Sequence, residues 1–210
     1  MKSRFFATAW LALFLFCFSS TAQTTVTRTL SPFDKISISG GFDKVVLKEG
    51  NAESVTLVVS GIDPDNIKTE VQNSTLRIDT KKGSYSNFKA TITVTYKSIH
   101  KVVNSGSTHV VAESVIKGDE FEFASSGSGD FTGTLDVREL EIAISGSSKM
   151  NLKGRADEQE IAISGSGKVN ASELKGSKAE VSISGSGNVQ LNVDGPVKTA
   201  VSGSGKVTNN

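Results

Sequence analysis

The chain has 210 residues, 37% hydrophobic and 21% charged, with 20 glycines and 3 prolines; this is room for one or two globular domains and excludes collagen and wholesale disorder. Lys+Arg 23 against Asp+Glu 22 leaves a net charge of +1, so no charge excess points to nucleic acid or an anionic membrane surface. One cysteine and two histidines are too few soft ligands for a structural zinc site, and neither a metal nor a cofactor is expected.

Residues 1–22 read as a secretory signal peptide. Lys2 and Arg4 make a short basic start, and Phe5 to Phe18 is an apolar run of 14 residues, short of the roughly 20 needed to span a bilayer. Ser20 and Ala22 supply small residues at −3 and −1 of a cut before Gln23. Cys17 follows Phe16 rather than a small residue, so lipidation is not expected. The product has 210 − 22 = 188 residues, a net charge of 21 − 22 = −1 and no cysteine to form a disulfide. No later segment has the length and apolarity of a membrane span. An exported protein is expected, in the periplasm, at the outer membrane or outside the cell.

From residue 26 the pattern is one of short strands. Ile36-Ser-Ile-Ser-Gly-Gly-Phe42 is followed by Val45-Val-Leu47, Val55 to Val59, Leu76-Arg-Ile78 and Ala90 to Tyr96. Asp63-Pro64-Asp65-Asn66 reads as a turn, and Lys81 to Asn87 as a mobile loop. Residues 26–104 are expected to form irregular first rungs and a cap of one domain spanning 23–210, a separate small β-domain being the alternative.

A repeat then takes over. Ser-Gly-Ser recurs at Ser105, Ser126, Ser145, Ser164, Ser184 and Ser202, spaced 21, 19, 19, 20 and 18 residues apart. One residue before the corner serine stand Ser125, Ile144, Ile163, Ile183 and Val201; three before, Phe123, Ile142, Ile161, Val181 and Thr199; five after, Phe131, Met150, Val169, Val189 and Val207. Period-two alternation rich in β-branched residues means strands with one buried face, and nothing sustains a helical period. A repeat near 19 residues fits one rung of a right-handed parallel β-helix, an all-β solenoid whose rungs stack at about 4.8 Å over residues 105–208. Gly in the Ser-Gly-Ser-Gly element would allow a corner. An antiparallel meander is the competing architecture. Asn104, where an apolar residue is expected, marks the first copy as irregular.

The block Phe33-Asp-Lys-Ile-Ser-Ile-Ser-Gly-Gly-Phe42, then Val45-Val-Leu-Lys-Glu-Gly50, then repeated Ile-Ser-Gly-Ser-Gly resembles the bacterial head GIN domain proteins. These are described as auto-transporter adhesins and are common in Bacteroidota. The resemblance covers about residues 26–208. It implies a solenoid fold and an adhesin role without an assigned activity. No translocating β-barrel is expected of this chain.

Catalytic motifs fail on inspection. Gly165-Ser-Gly-Lys168 lacks the spacing, the hydroxyl residue and the helix of a phosphate loop. No Gly-x-Ser-x-Gly elbow exists, and His100 and His109 are the sole candidate bases. Gly127-Ser-Gly-Asp130 resembles a calcium β-roll fragment, but the equivalent positions carry Lys149, Lys168, Asn188 and Lys206. Glu122, Glu141, Glu160 and Glu180 recur four residues before the corner; a repeated ladder suits a solvated surface or partner contact better than one asymmetric catalytic pair.

The surface columns carry the binding hypothesis. Ala124, Ala143, Ala162, Ser182 and Ala200 lie two residues before the corner and share outward parity with the corner serines and with Ser147, Ser166 and Ser186. They would form a flat face bordered by Glu141, Glu160 and Glu180 on one side and by Lys149, Lys168 and Lys206 on the other. A corner that breaks parity, or a covering segment, would remove that face. The expected function is a non-enzymatic envelope or surface protein, an adhesin head binding a surface protein or glycan through repeated contacts. One alternative is an enzyme on polysaccharide, with Arg77, Arg138, Arg155 and Asp157-Glu158 the first residues to test. The other is a structural homo-oligomer paired through the open strand edge near Val207.

Overall fold

The computed structural model describes residues 23–85 and 87–210; the signal peptide expected over residues 1–22 lies outside the described residues. Within them the chain is strands joined by short turns. The first seven are β1 (Thr24–Thr29), β2 (Lys35–Ser39), β3 (Lys44–Glu49), β4 (Ser54–Ser60), β5 (Ile67–Gln72), β6 (Thr75–Thr80) and β7 (Lys89–Tyr96). There follow β8 (Lys101–Asn104), β9 (His109–Ala112), β10 (Ile116–Ser125), β11 (Phe131–Gly146) and β12 (Lys149–Gly165). The last five are β13 (Lys168–Gly176), β14 (Lys178–Gly185), β15 (Asn188–Val193), β16 (Val197–Gly203) and β17 (Lys206–Asn209). One 3-10 turn, Pro64–Asn66, is the only helical element among the described residues, and Asp63 caps it by accepting from the Asp65 amide at 2.9 Å.

From β8 onward every strand pairing is parallel, which excludes the meander and establishes a β-solenoid of about six turns. The register is that of the sequence repeat: Phe123 faces Ile142, which faces Ile161, which faces Val181, which faces Thr199. Phe131, Met150, Val169, Val189 and Val207 form the matching ladder beyond the corner. Apart from the terminal Thr199 and Val207, these residues are buried. At about 1.5–3 kcal/mol for each large apolar side chain removed from water, the ladders are the main stabilising term. Phe131 packs its ring 5.9 Å from Phe121 and 4.8 Å from Phe123.

The corner is built on a glycine column. A Cβ on Gly127 would lie 2.2 Å from the Gly106 carbonyl oxygen, on Gly146 2.3 Å from that of Gly127, and on Gly165 2.6 Å from that of Gly146. Gly165, Gly185 and Gly203 also hold φ of 133°, 128° and 119°, a region closed to most side-chain-bearing residues. Backbone approach and backbone conformation therefore both demand Gly here.

In the N-terminal half, stacking order departs from chain order. β2 pairs in parallel with both β6 and β8, and β3 with both β7 and β9. The β2–β3 rung thus lies between the later β6–β7 rung and the first solenoid turn. Antiparallel β4 on β7, β1 on β4 and β5 on β6 then end the stack. Arg28 on β1 ties this end together, donating to the Ile67 carbonyl at 2.6 Å, the Pro64 carbonyl at 2.8 Å and Thr69 Oγ1 at 2.9 Å. Asn104 does stand in the apolar column, facing Ile38 and Ser125. It is buried there because Nδ2 donates to the Thr108 carbonyl at 2.8 Å and Oδ1 accepts from the Gly106 amide at 3.3 Å.

Candidate functional site

The outward columns line three separate grooves that follow the stacking direction. The first, of about 720 Å³, is floored by Ala124, Ala143, Ala162, Ser182 and Ala200 and by the corner serines Ser145, Ser164 and Ser184, with Val103 at one end. Alternation explains it: the inward neighbours Ile142, Ile144, Ile161 and Ile163 are buried, so the small residues between them point out. Ala162, Ser182 and Ala200 are exposed and Ala143 is half-buried. The corner preserves parity, and no described segment lies over this strip.

The charged columns line grooves of their own, the Glu column lying two residues before the Ala column on the same strands and the same face. Glu141, Glu160 and Glu180 line a second groove of about 350 Å³. They stack in register, Glu122 on Glu141 on Glu160 on Glu180, and lysines end the run at both sides. Lys101 faces Glu122, with its ammonium 2.6 Å from the carboxylate, and Lys198 faces Glu180. A second carboxylate column, Glu120, Glu139 and Glu158, runs two residues earlier and ends at Lys178, 2.8 Å from Glu158. Sequence reasoning passed over this column, though the same count from the corner serine at −6 would have found it. Partial burial, then the charges of Glu122, Glu160 and Glu120, raise the Glu141 carboxyl above its ordinary value, with Lys101 opposing.

Lys149, Lys168 and Lys206 line the third groove, of about 370 Å³, with Asn151, Asn170 and Gln190. The Gly-Ser-Gly corner separates it from the first groove, and Ser147, Ser166 and Ser186 stand exposed on that corner. The outward surface thus carries an Ala/Ser groove with an acid groove beside it on the same strands and a Lys/amide groove across the corner.

The arginines considered for polysaccharide chemistry are not gathered in one cleft. Arg138 is held by Asp119 at 2.7 Å and by Glu139, and the Asp119 carboxyl is lowered by that hydrogen bond. Arg155 donates to Asp157 at 2.7 Å. Arg77 lies on β6, facing Glu70 across the antiparallel pair. His100 and His109 each sit 3.9 Å from one carboxylate, Asp34 and Asp130. No group of three or more His, Cys, Asp or Glu with metal-binding geometry occurs among the described residues, and none of their helices is long and apolar enough to cross a membrane.

A family model described as "Putative auto-transporter adhesin, head GIN domain" matches residues 32–210. Among solved structures, a "putative adhesin" of Bacteroides fragilis NCTC 9343 superposes with a TM-score of 0.79 at 19% identity, covering 91% of this chain and 98% of that one. A "putative adhesin" of Parabacteroides merdae ATCC 43184 gives 0.76 at 20% identity, covering 91% and 97%. A "putative lipid binding protein" of Parabacteroides distasonis ATCC 8503 gives 0.69 at 19%, covering 91% and 98%. At these identities the likeness is one of fold. No curated protein matches the chain.

Proposed function

The chain belongs to the head GIN domain family, and on that premise we propose that it is an exported, non-enzymatic adhesin-like protein of the cell envelope or surface. Its partner, a surface protein or a glycan, would lie along the Ala/Ser groove. The carrying observation is that methyls and hydroxyls recur at the same two columns over successive rungs, half-buried at Ala124 and Ala143 and exposed from Ala162 onward. Such a surface offers many equivalent weak contacts, and their sum grows with the length engaged. The absence of an aromatic platform in the groove lining favours a protein strand or loop over a neutral sugar.

Two measurements test this. Protease shaving of intact producing cells, with a periplasmic protein as control, should digest this chain and spare the control; protection of both would move it inside the envelope and end the surface reading. Beads coated with residues 23–210 should adhere to live cells of the producing strain or to an epithelial monolayer. The variant Ala143→Arg/Ala162→Arg/Ser182→Arg should lose adhesion with its β circular dichroism unchanged. Retained adhesion would show that this groove is not the contact.

The enzyme alternative needs an asymmetric cleft, whereas both acid columns repeat from rung to rung. Turnover of an acidic glycan by residues 23–210 would restore it.

A further inference from the structure

We propose that the Lys/amide groove is a second binding site, for a single extended chain of an anionic polysaccharide lying along the stacking direction. The proposal rests on reading the chain as an interaction protein but concerns a groove other than the Ala/Ser one.

The first observation is charge without a counter-charge. Lys149 stacks on Lys168, Lys168 on Asn188 and Asn188 on Lys206, so three exposed ammonium groups are strung over three rung steps, about 14 Å. Like charges directly opposite one another in neighbouring strands are destabilising. Three other lysines of the solenoid are answered by carboxylates, Lys101 by Glu122 at 2.6 Å, Lys153 by Glu173 at 2.9 Å and Lys178 by Glu158 at 2.8 Å, whereas Lys117, Lys175 and Lys198, unpaired likewise among the described residues, are not stacked on one another. Among the described residues, the ammonium groups of Lys149, Lys168 and Lys206 form no ion pair within 4.0 Å; the one carboxylate at the end of the column, Asp130, accepts from the Lys149 backbone amide at 3.0 Å. The repulsion between Lys149 and Lys168 is offset by no ion pair of their ammonium groups, and an external anion would relieve it.

The second observation concerns the neighbouring column. Asn151, Asn170 and Gln190 stack in the same register two residues further along each strand, on the same face. Asn170 Oδ1 accepts from the Ser172 amide at 3.2 Å and hydroxyl at 2.7 Å, so the side-chain group it has to offer is its NH₂ donor. Ammonium groups beside amide donors, repeated at the rung spacing, suit carboxylates or sulfates recurring along a polymer. Asp130, one rung before Lys149 and 3.9 Å from His109, closes the strip at one end.

Charge spacing selects the polymer. The lysines and amides run in single file along the strip, which matches one extended chain. The acid columns on the same solenoid would also repel a densely charged nucleic acid. Neither arginine nor an aromatic residue lines the groove, so binding is by point charge and amide and falls with salt.

The test uses residues 23–210 with polygalacturonate, chondroitin sulfate, neutral dextran and duplex DNA as probes, by affinity electrophoresis at low and high salt. Polygalacturonate and chondroitin sulfate are expected to bind at low salt and weaken as salt rises, and dextran not to bind. Lys149→Gln/Lys168→Gln/Lys206→Gln should weaken binding tenfold or more without lowering the unfolding midpoint, while Lys153→Gln/Lys178→Gln should bind as wild type. Unchanged binding by the triple variant, equal binding of dextran, tighter binding of DNA or no polyanion binding would each overturn the proposal. The Ala143→Arg/Ala162→Arg/Ser182→Arg variant should keep polyanion binding even where cell adhesion is lost, so the two sites fail separately.

Discussion

The hydroxyls of Ser125 and Ser148 meet at 2.6 Å in the buried interior, and each replaces the usual residue of its column. Other turns carry Ile144, Ile163 or Ile183 where Ser125 stands, and Gly129, Gly167, Gly187 or Gly205 where Ser148 stands. A Cβ on Gly167 would come within 2.8 Å of the Ile144 side chain one rung below. Ile beneath therefore requires Gly above, and Ser148 is tolerated because Ser125 is small and supplies a hydrogen-bond partner.

This pairing makes a double-mutant cycle informative. Ser125→Ile alone should cost about 1–3 kcal/mol by overpacking against Ser148. Ser148→Gly alone strands the Ser125 hydroxyl in the core, at about 1–3 kcal/mol. The double variant recreates the Ile/Gly pair of the other turns and should recover most of both losses, a coupling above about 1 kcal/mol. Urea unfolding midpoints of the four proteins measure it, and additive losses would contradict the account.

The glycine column yields a sharper contrast. Gly165→Ala puts a methyl 2.6 Å from the Gly146 carbonyl oxygen at a φ of 133°, and should cost about 2 kcal/mol or more. Gly118→Ala meets nothing closer than the Glu120 carbonyl oxygen at 3.7 Å and should stay within about 0.5 kcal/mol of wild type. Equal midpoints for the two variants would mean that backbone approach at the corner is not what fixes Gly there.

Those columns were legible in the sequence because the repeat prints them. Ile142, Ile161 and Val181 recur at fixed offsets, and strand register follows once rungs stack. The outward Ala143, Ala162 and Ser182 followed from parity alone. The separation of the Lys/amide groove from the Ala/Ser groove was not legible, because it depends on how sharply the corner turns between Ser145 and Lys149, which residue types do not state. Nor was the stacking of β6–β7 outside β2–β3: Leu76-Arg-Ile78 alternates like any strand, and alternation says nothing of which neighbour it takes. The buried Asn104 broke the apolar pattern because its amide finds Thr108 and Gly106 locally, a compensation visible only in three dimensions.

Stacked carboxylates give the solenoid a pH dependence of defined sign. The Glu141 carboxyl is raised by partial burial and by Glu122, Glu160 and Glu120. A raised value in the folded state is a stabilising contribution present below the unfolded value and lost as pH rises through the folded one. Glu141→Gln should therefore melt above wild type at pH 7, by on the order of 0.5 kcal/mol, and the gap should close as pH falls below the ordinary glutamate value of about 4.3. Asp119, lowered by its hydrogen bond to Arg138, acts oppositely, so the difference between the two proteins, rather than either melting curve, isolates the ladder. Calorimetry from pH 4 to 7 would show it; a constant gap would rule out like-charge stacking as the cause.

The last turn presents an edge of a different kind. Val201 is 45% exposed, whereas Ile144, Ile163 and Ile183 in its column are 2%, 2% and 3% exposed, because no described residue stacks beyond β16 and β17. Their outer amides and carbonyls form a strand edge beside an uncovered apolar end, the arrangement that recruits further strands. Residues 23–210 should show a mass that rises with concentration in light scattering, through end-to-end pairing of two copies. Val201→Lys places a charge at the edge and should return the chain to a monomer at concentrations where wild type associates. A wild-type monomer throughout would dismiss pairing at this end, and association unaffected by Val201→Lys would locate it on one of the lateral grooves instead.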